Sequence, residues 1–351
     1  MENPVPTRIH YAALTFAAVV VVLAGARYAQ AIVVPFLLSL FIATILATPV
    51  EWLHRRGFPL TVALAVVILI LVLIFFVLGM LVGVTVDEFA RALPLYQERL
   101  KGLSDAAVAW LRGRGIEVPE GGLLGFLDLR VVMTYANTLL TALGAMLGNA
   151  VIIIFTVFFL LLEAWSFPAK VAAIHGEQGE ELVARIGAVI RSTKHYTAAK
   201  TLTSVATGIL VWLGTWAAGL DFAPLWGLIA FLFNYVPNIG SILAAIPAVI
   251  LALVQLGVGG AIGVGAIYLA INVLIGNIIE PRLMGRWMGL STLVVFVSLF
   301  LWGWLLGPVG MLLSVPLTMV VKFAAEVHED TRWIAVLLGP APERRVPDEV
   351  R

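Results

Sequence analysis

Seven stretches of the chain, residues 9–26, 28–50, 57–86, 131–162, 201–220, 222–279 and 287–321, contain no Lys, Arg, Asp or Glu. A helix rises 1.5 Å per residue, so about 20 apolar residues cross a hydrocarbon layer of roughly 30 Å. Where no water can reach, every backbone amide must be bonded internally, which leaves helices and closed barrels as the spanning forms. A barrel would read as alternating segments of about ten residues, whereas the Leu, Val, Ile and Phe runs here are continuous. With 61% hydrophobic and 12% charged residues, against about 25% charged in an ordinary domain, a soluble fold is excluded. The expected class is all-α, a polytopic helical membrane protein.

The first five stretches read as five spans. Ala24-Gly25-Ala26 and Ala29-Gln30-Ala31 resemble small-residue cleavage sites, but another apolar stretch follows at once, so the first span is read as retained. Residues 222–279 are interrupted by Pro224, Pro237, Pro247 and the glycines between 257 and 265, which gives two to three crossings. Residues 287–321 are interrupted at Gly307-Pro308-Val309-Gly310 and at Pro316, which fits one kinked span or one hairpin. Gly/Pro-broken or re-entrant segments are therefore expected near 223–256 and 289–325. The chain then divides into three spans (1–86), an amphipathic extracytoplasmic insertion (87–130), a fourth span (131–162), a cytoplasmic amphipathic segment (163–200), a C-terminal transmembrane core (201–326) and a cytoplasmic tail (327–351). In the insertion, Leu93, Tyr96, Leu100, Leu103, Ala107 and Trp110 recur at helical spacing; Leu182, Ile186, Val189 and Ile190 repeat the pattern later.

Lys and Arg concentrate on cytoplasmic loops. With the N-terminus inside, 13 bases fall on the cytoplasmic side and seven opposite, so both termini are expected in the cytoplasm. The net charge of +1 comes without a basic cluster, which argues against a nucleic-acid partner. Cysteine is absent, and His10, His54, His175, His195 and His328 are scattered, so no metal site is expected. No phosphate loop, GxSxG or HExxH sequence occurs; the chain reads as neither an enzyme nor a cofactor binder. Glu163 and Asp221 end apolar stretches and read as boundary residues, while Lys194, His195 and Lys200 read as anchors at the start of the fifth span.

The informative features are polar breaks at membrane depth. Phe233-Asn234-Tyr235-Val236-Pro237-Asn238-Ile239-Gly240-Ser241 puts amides, a hydroxyl, a proline and a glycine inside an uncharged stretch. In a continuing helix Pro237 would free the Phe233 carbonyl, which must then meet protein, water or ligand. Pro308, Gly310 and Pro316 echo Pro237, Gly240 and Pro247, and paired Gly/Pro interruptions point to a transporter's central site. Between the breaks, at 100° per residue, Asn272 and Asn277 flank Glu280 on one broad face. Glu280 has two readings: a titratable group lining a path, or the end of a helix at Pro281 with Arg282 as an interfacial ion-pair partner.

The run from Lys200 to Gly208, Leu225-Trp226-Gly227-Leu228, Phe233 through Ser241, Asn277-Ile278-Ile279-Glu280-Pro281-Arg282-Leu283-Met284-Gly285, and Gly307 through Gly310 to Pro316-Leu317 together resemble the autoinducer-2 exporter family of bacterial membrane proteins. The resemblance implies about eight transmembrane helices in the bacterial inner membrane, a homo-oligomer, with a pentamer as the best guess, and transport. Members are associated with autoinducer-2 export, some with sodium/proton exchange. The first expectation is therefore a transporter exporting a small polar solute, with Asn234, Pro237, Asn238, Gly240, Ser241, Asn272, Asn277, Glu280, Arg282, Gly310 and freed backbone carbonyls along its path, and Gly240, Gly285 and Gly310 permitting bends. The second is cation/proton antiport at Glu280 or Asp221, and the third an oligomeric scaffold. Membrane lipid, a small polar solute or cation, and further copies of the chain are the expected partners.

Overall fold

A computed structural model describes residues 5–115, 141, 144, 148–175, 177–237, 239–284, 289–327 and 329–340. Asn238, Gly285, most of 131–147 and the C-terminal 341–351 lie outside the described residues. The helices are α1 (Val5–Tyr28), α2 (Gln30–Arg55), α3 (Leu60–Arg112), α4 (Ala150–His175), α5 (Glu177–Ala217), α6 (Ala223–Phe233), α7 (Gly240–Asn272), a π-helical turn (Val273–Ile279), α8 (Glu280–Met284), α9 (Thr292–Leu312), α10 (Ser314–Val327) and α11 (Arg332–Leu338). The all-α, polytopic reading holds. Among the described residues, five helical segments are long and apolar enough to cross a membrane, and Ala17–Tyr28 and Ala223–Phe233 are shorter apolar helices. The charge-free end of α5 is rich in Thr and Ser.

Two helices run on across expected segment boundaries. The amphipathic pattern after residue 87 is helical, but it continues α3 without a break through 53 residues, and Pro94 lies inside it. The segment before residue 200 and the span after it are likewise one helix of 41 residues. Part of the expected tail is folded: α11 ends with the Leu338 carbonyl accepting from the Ser291 amide at 3.0 Å.

The chain forms two compact units. One comprises Met1–Thr44, Phe155–Arg185 and Gly289–Arg351, the other Ile45–Ile154 and Ile186–Met288. In the first, α9 turns back on itself at Gly307, so residues 292–321 form a hairpin: Trp302 Nε1 donates to Thr318 Oγ1 at 3.0 Å. Arg27 stacks over Trp304, 4.5 Å from the ring centre.

In the second unit α6, with 11 residues, is too short to cross. Its Ala230 packs with Ala244 and Ala248 of α7 in one buried cluster that also holds Trp226, Val211 and Tyr268. Lipid tails are as apolar as leucine, so close approach of small residues rather than hydrophobicity joins such helices. At Gly208 and Gly227 each Cβ would lie within 3 Å of the other residue's carbonyl oxygen, which fixes α5 against α6. α7 is two arms folded at Gly257: Ser241 and Asn272 line a common groove, as do Val249 and Gly265, so the arms run antiparallel.

The bends fall within interruptions that the sequence marks, at Gly257 and Gly307 rather than at Gly240 and Gly310. Gly257 (φ 78°, ψ −170°) and Gly307 (φ 68°, ψ −153°) occupy backbone space open essentially to glycine alone. Gly240 and Gly310 instead permit close approach, since a Cβ would overlap the Phe233 carbonyl at the first and the Trp302 carbonyl at the second. At Gly257 a Cβ would meet nothing within 4 Å, so any loss there is conformational. Gly257→Ala is expected to destabilise by about 2 kcal/mol. Gly259→Ala, also in open space but without a positive φ, is expected to be neutral or stabilising by about 1 kcal/mol. Melting of the purified protein in detergent reads the difference.

Candidate functional site: a polar cleft closed by a buried ion pair

The first polar break forms a turn that satisfies itself. The Val236 amide donates to the Phe233 carbonyl at 2.9 Å, Asn234 to Ala230 at 3.0 Å and Gly240 to Val236 at 3.2 Å. The carbonyl expected to be freed by Pro237 is thus occupied, because the helix stops instead of continuing past the proline. Side chains tie this turn to α5: Asn234 Nδ2 donates to Ser204 Oγ at 3.0 Å, and the Tyr235 hydroxyl to Thr201 Oγ1 at 2.8 Å.

That face of α5 carries Lys200, Ser204, Thr207, Val211 and Thr215, all buried and spaced three or four residues apart. Its hydroxyls are compatible with membrane depth because they bond back to their own helix, Thr207 to the Thr203 carbonyl (2.9 Å) and Thr215 to Val211 (2.8 Å). α5 runs antiparallel to the second arm of α7 and the segment beyond it. Lys200 meets Glu280 at one level, and at another a Cβ on Gly214 would lie 2.6 Å from Ile267 Cγ2.

Between these levels lies a cleft lined by Thr207, Val211, Ala230, Asn234, Ser241, Ala244, Tyr268, Ile271, Asn272, Ile275 and Gly276. None of the described residues lining it is charged. Its volume is about 10 Å³, room for about one water molecule. The cleft is closed in this conformation. The π-helical turn Val273–Ile279 borders it, and such turns recur at functional sites.

Of the residues singled out from sequence, Asn234, Ser241 and Asn272 meet at this cleft, and Pro237 and Gly240 shape the turn above it. Asn277 is exposed and is not among the lining residues; the π turn abandons the 100° step on which its face was drawn. Gly310 belongs to the other unit.

Glu280 opens α8 rather than ending a helix at Pro281, its partner is Lys200 at 2.5 Å, and Arg282 is exposed. Lys200 is correspondingly no anchor: its side chain is 4% exposed and that of Glu280 21%. The sequence hid the pair because its members are 80 residues apart.

Asp221 marks the far end of the same unit. Its Oδ2 accepts from the Tyr96 hydroxyl at 2.7 Å, its amide donates to Gln255 Oε1 at 2.9 Å, and its carbonyl accepts from Trp226 Nε1 at 2.8 Å. Burial, then the bond to Asp221, push the Tyr96 hydroxyl above the ordinary tyrosine range. Ser204, Thr207 and Tyr268 escaped the sequence reading. The first two share a helical face with Lys200, and Tyr268 lies one turn before Asn272, so the periodicity was the available signal.

Comparison with known proteins decides the family, since the AI-2E family transporter profile matches residues 16–329. The chain belongs to the AI-2E transporter family. Among its relatives, the AI-2 transport protein TqsA of Escherichia coli is 43% identical over 320 residues, covering 91% of this chain and 93% of that protein. The putative transport protein YhhT of Escherichia coli is 39% identical over 351 residues, 99% of this chain and 100% of YhhT. A putative transport protein of Haemophilus influenzae is 38% identical over 336 residues, covering 94% and 97%.

This AI-2E family member is a membrane transporter. The antiport and scaffold readings draw no support: both carboxylates proposed for proton exchange are engaged by Lys200 and Tyr96. Removing one member of a buried ion pair leaves the other uncompensated. Lys200→Met is expected to destabilise the transporter by about 3 kcal/mol, and the double change with Glu280→Leu to recover most of that loss in the same unfolding measurement.

Proposed function

We propose that this transporter exports a small, uncharged, hydroxylated solute of the autoinducer-2 kind from the cytoplasm across a bacterial inner membrane. The observation that carries the reading is the cleft: amides and hydroxyls from Thr207, Asn234, Ser241 and Asn272 converge between membrane-depth helices without a charged lining residue. Amides and hydroxyls both donate and accept, which matches a solute bearing several hydroxyls. A charged solute would need a compensating charge at that depth. The similarity to a relative named for AI-2 transport supports the same chemistry.

Passage requires the closed cleft to widen first at one end and then at the other. The Lys and Arg distribution puts the Lys200–Glu280 pair at the cytoplasmic end and Asp221 at the outer end, with both chain termini inside. In this reading the ion pair parts to admit solute and re-forms behind it, while the contact of Gly214 with Ile267 yields on the way out. The exporter works as a homo-oligomer, five copies being the number the family resemblance implies; native mass spectrometry from lipid nanodiscs counts them.

Inverted membrane vesicles, in which export appears as uptake, test the path. Asn234→Leu with Asn272→Leu is expected to reduce autoinducer-2 uptake at least tenfold at equal insertion. Asn277→Leu, outside the cleft, is expected to cost less than Asn272→Leu alone. Full uptake by a correctly inserted double variant would refute the path.

A further inference from the structure

Tyr268 is 6% exposed, and its hydroxyl has no hydrogen-bond partner among the described residues. Buried hydroxyls are nearly always paired, because an unmet donor in a low-dielectric interior loses its hydration without replacement. The exceptions ask for a reason. The unpaired hydroxyls of Thr193, Thr197 and Ser314 are helix threonines and a serine that do not line the cleft. Tyr268 does line it, on the same helix as Asn272 and one turn before it, across from Asn234 and Thr207.

The surroundings give the ring freedom as well as a motive. With Ser241 and Asn272, Tyr268 forms the wall between the closed cleft and an open groove of about 380 Å³ between the two arms of α7. Apart from Ser241 and Asn272 on that shared wall, the groove is lined by Ile242, Ala245, Ile246, Val249, Ile250, Gly265 and Leu269. A ring with room on one side and an unmet hydroxyl can follow a cleft that widens.

We propose that Tyr268 is the residue by which the transporter recognises its solute: the phenol hydroxyl, unpaired in the closed state, bonds a solute hydroxyl when the cleft opens. The inference rests on the proposed export of an uncharged hydroxylated solute and adds the group that selects it. Asn234 has already committed one of its two amide N–H donors to Ser204. Tyr268 supplies a donor that the closed protein uses nowhere else. A solute lacking a hydroxyl at that place would leave the phenol unmet and bind less well.

The test compares the full-length wild type with Tyr268→Phe, which removes one oxygen and keeps the ring. Proteoliposome transport of autoinducer-2, and of glycerol as a second small polyol, is measured together with the melting temperature in detergent without solute. Expected are a KM about tenfold higher for whichever probe the wild type carries and a solute-free melting temperature equal to or slightly above wild type, since an unmet hydroxyl has been removed. A transporting wild type with an unchanged KM in Tyr268→Phe overturns the role of Tyr268 and leaves the export reading standing. A fall in melting temperature with unchanged KM assigns the hydroxyl to structure and also overturns it. A wild type that carries neither probe defeats the export reading and this inference together.

Discussion

A peptide group at membrane depth needs a partner, and the rest of this architecture follows from that requirement. An unmet carbonyl or amide in hydrocarbon costs several kcal/mol, so an interruption of a helix survives only where other groups absorb it. The turn between α6 and α7 meets the demand with its own amides and then fastens itself to α5 through Asn234 and Tyr235. The fastening requires α5 to offer hydroxyls where a lipid-facing span would offer leucine. Those hydroxyls in turn require a neighbour that hides them, and the second arm of α7 with the π turn beyond it provides one. A polar cleft in an apolar protein is the outcome of this sequence of obligations.

Charge is handled by the same economy. Lys200 and Glu280 each carry a desolvation cost that their mutual attraction offsets only at close range with good geometry, and at 2.5 Å they have that geometry. Such a pair contributes little net stability against an apolar substitute, yet losing either partner alone is costly. Below it the cleft, with space for about one water, is sealed. The small residues Gly208, Gly227 and Gly214 let the three walls approach closely enough for that seal.

Much of this was legible from the amino-acid order, and the misreadings share a cause. Uncharged stretches gave the helices, since length against bilayer thickness leaves little choice, and Pro237 and Gly307 marked turns correctly. The glycines at 240 and 310 were assigned the wrong role. A positive φ can be guessed locally, but overlap with the Phe233 or Trp302 carbonyl depends on how the chain returns after the turn. Lys200 read as an anchor because it stands at the edge of an apolar run, and only the antiparallel register of α5 with the segment around residue 280 reveals its partner. Asn277 was misjudged because an angular wheel presumes α-helical winding, which the π turn at Val273–Ile279 departs from. In each case the local pattern was sound and the tertiary neighbour was invisible.

The long helix α3 carries one further implication. It runs 53 residues without interruption from Leu60 to Arg112, and its polar continuation touches the base of the α6–α7 hairpin through the bond from Tyr96 to Asp221. A continuous rod transmits torque, and Pro94 offers one place for it to flex, two residues before that contact. The Arg99 guanidinium donating to the Gln255 carbonyl and the Phe89 ring set edge-on to Phe222 fasten the same stretch of rod, so α3 is pinned to both ends of the hairpin's polar base rather than resting beside it.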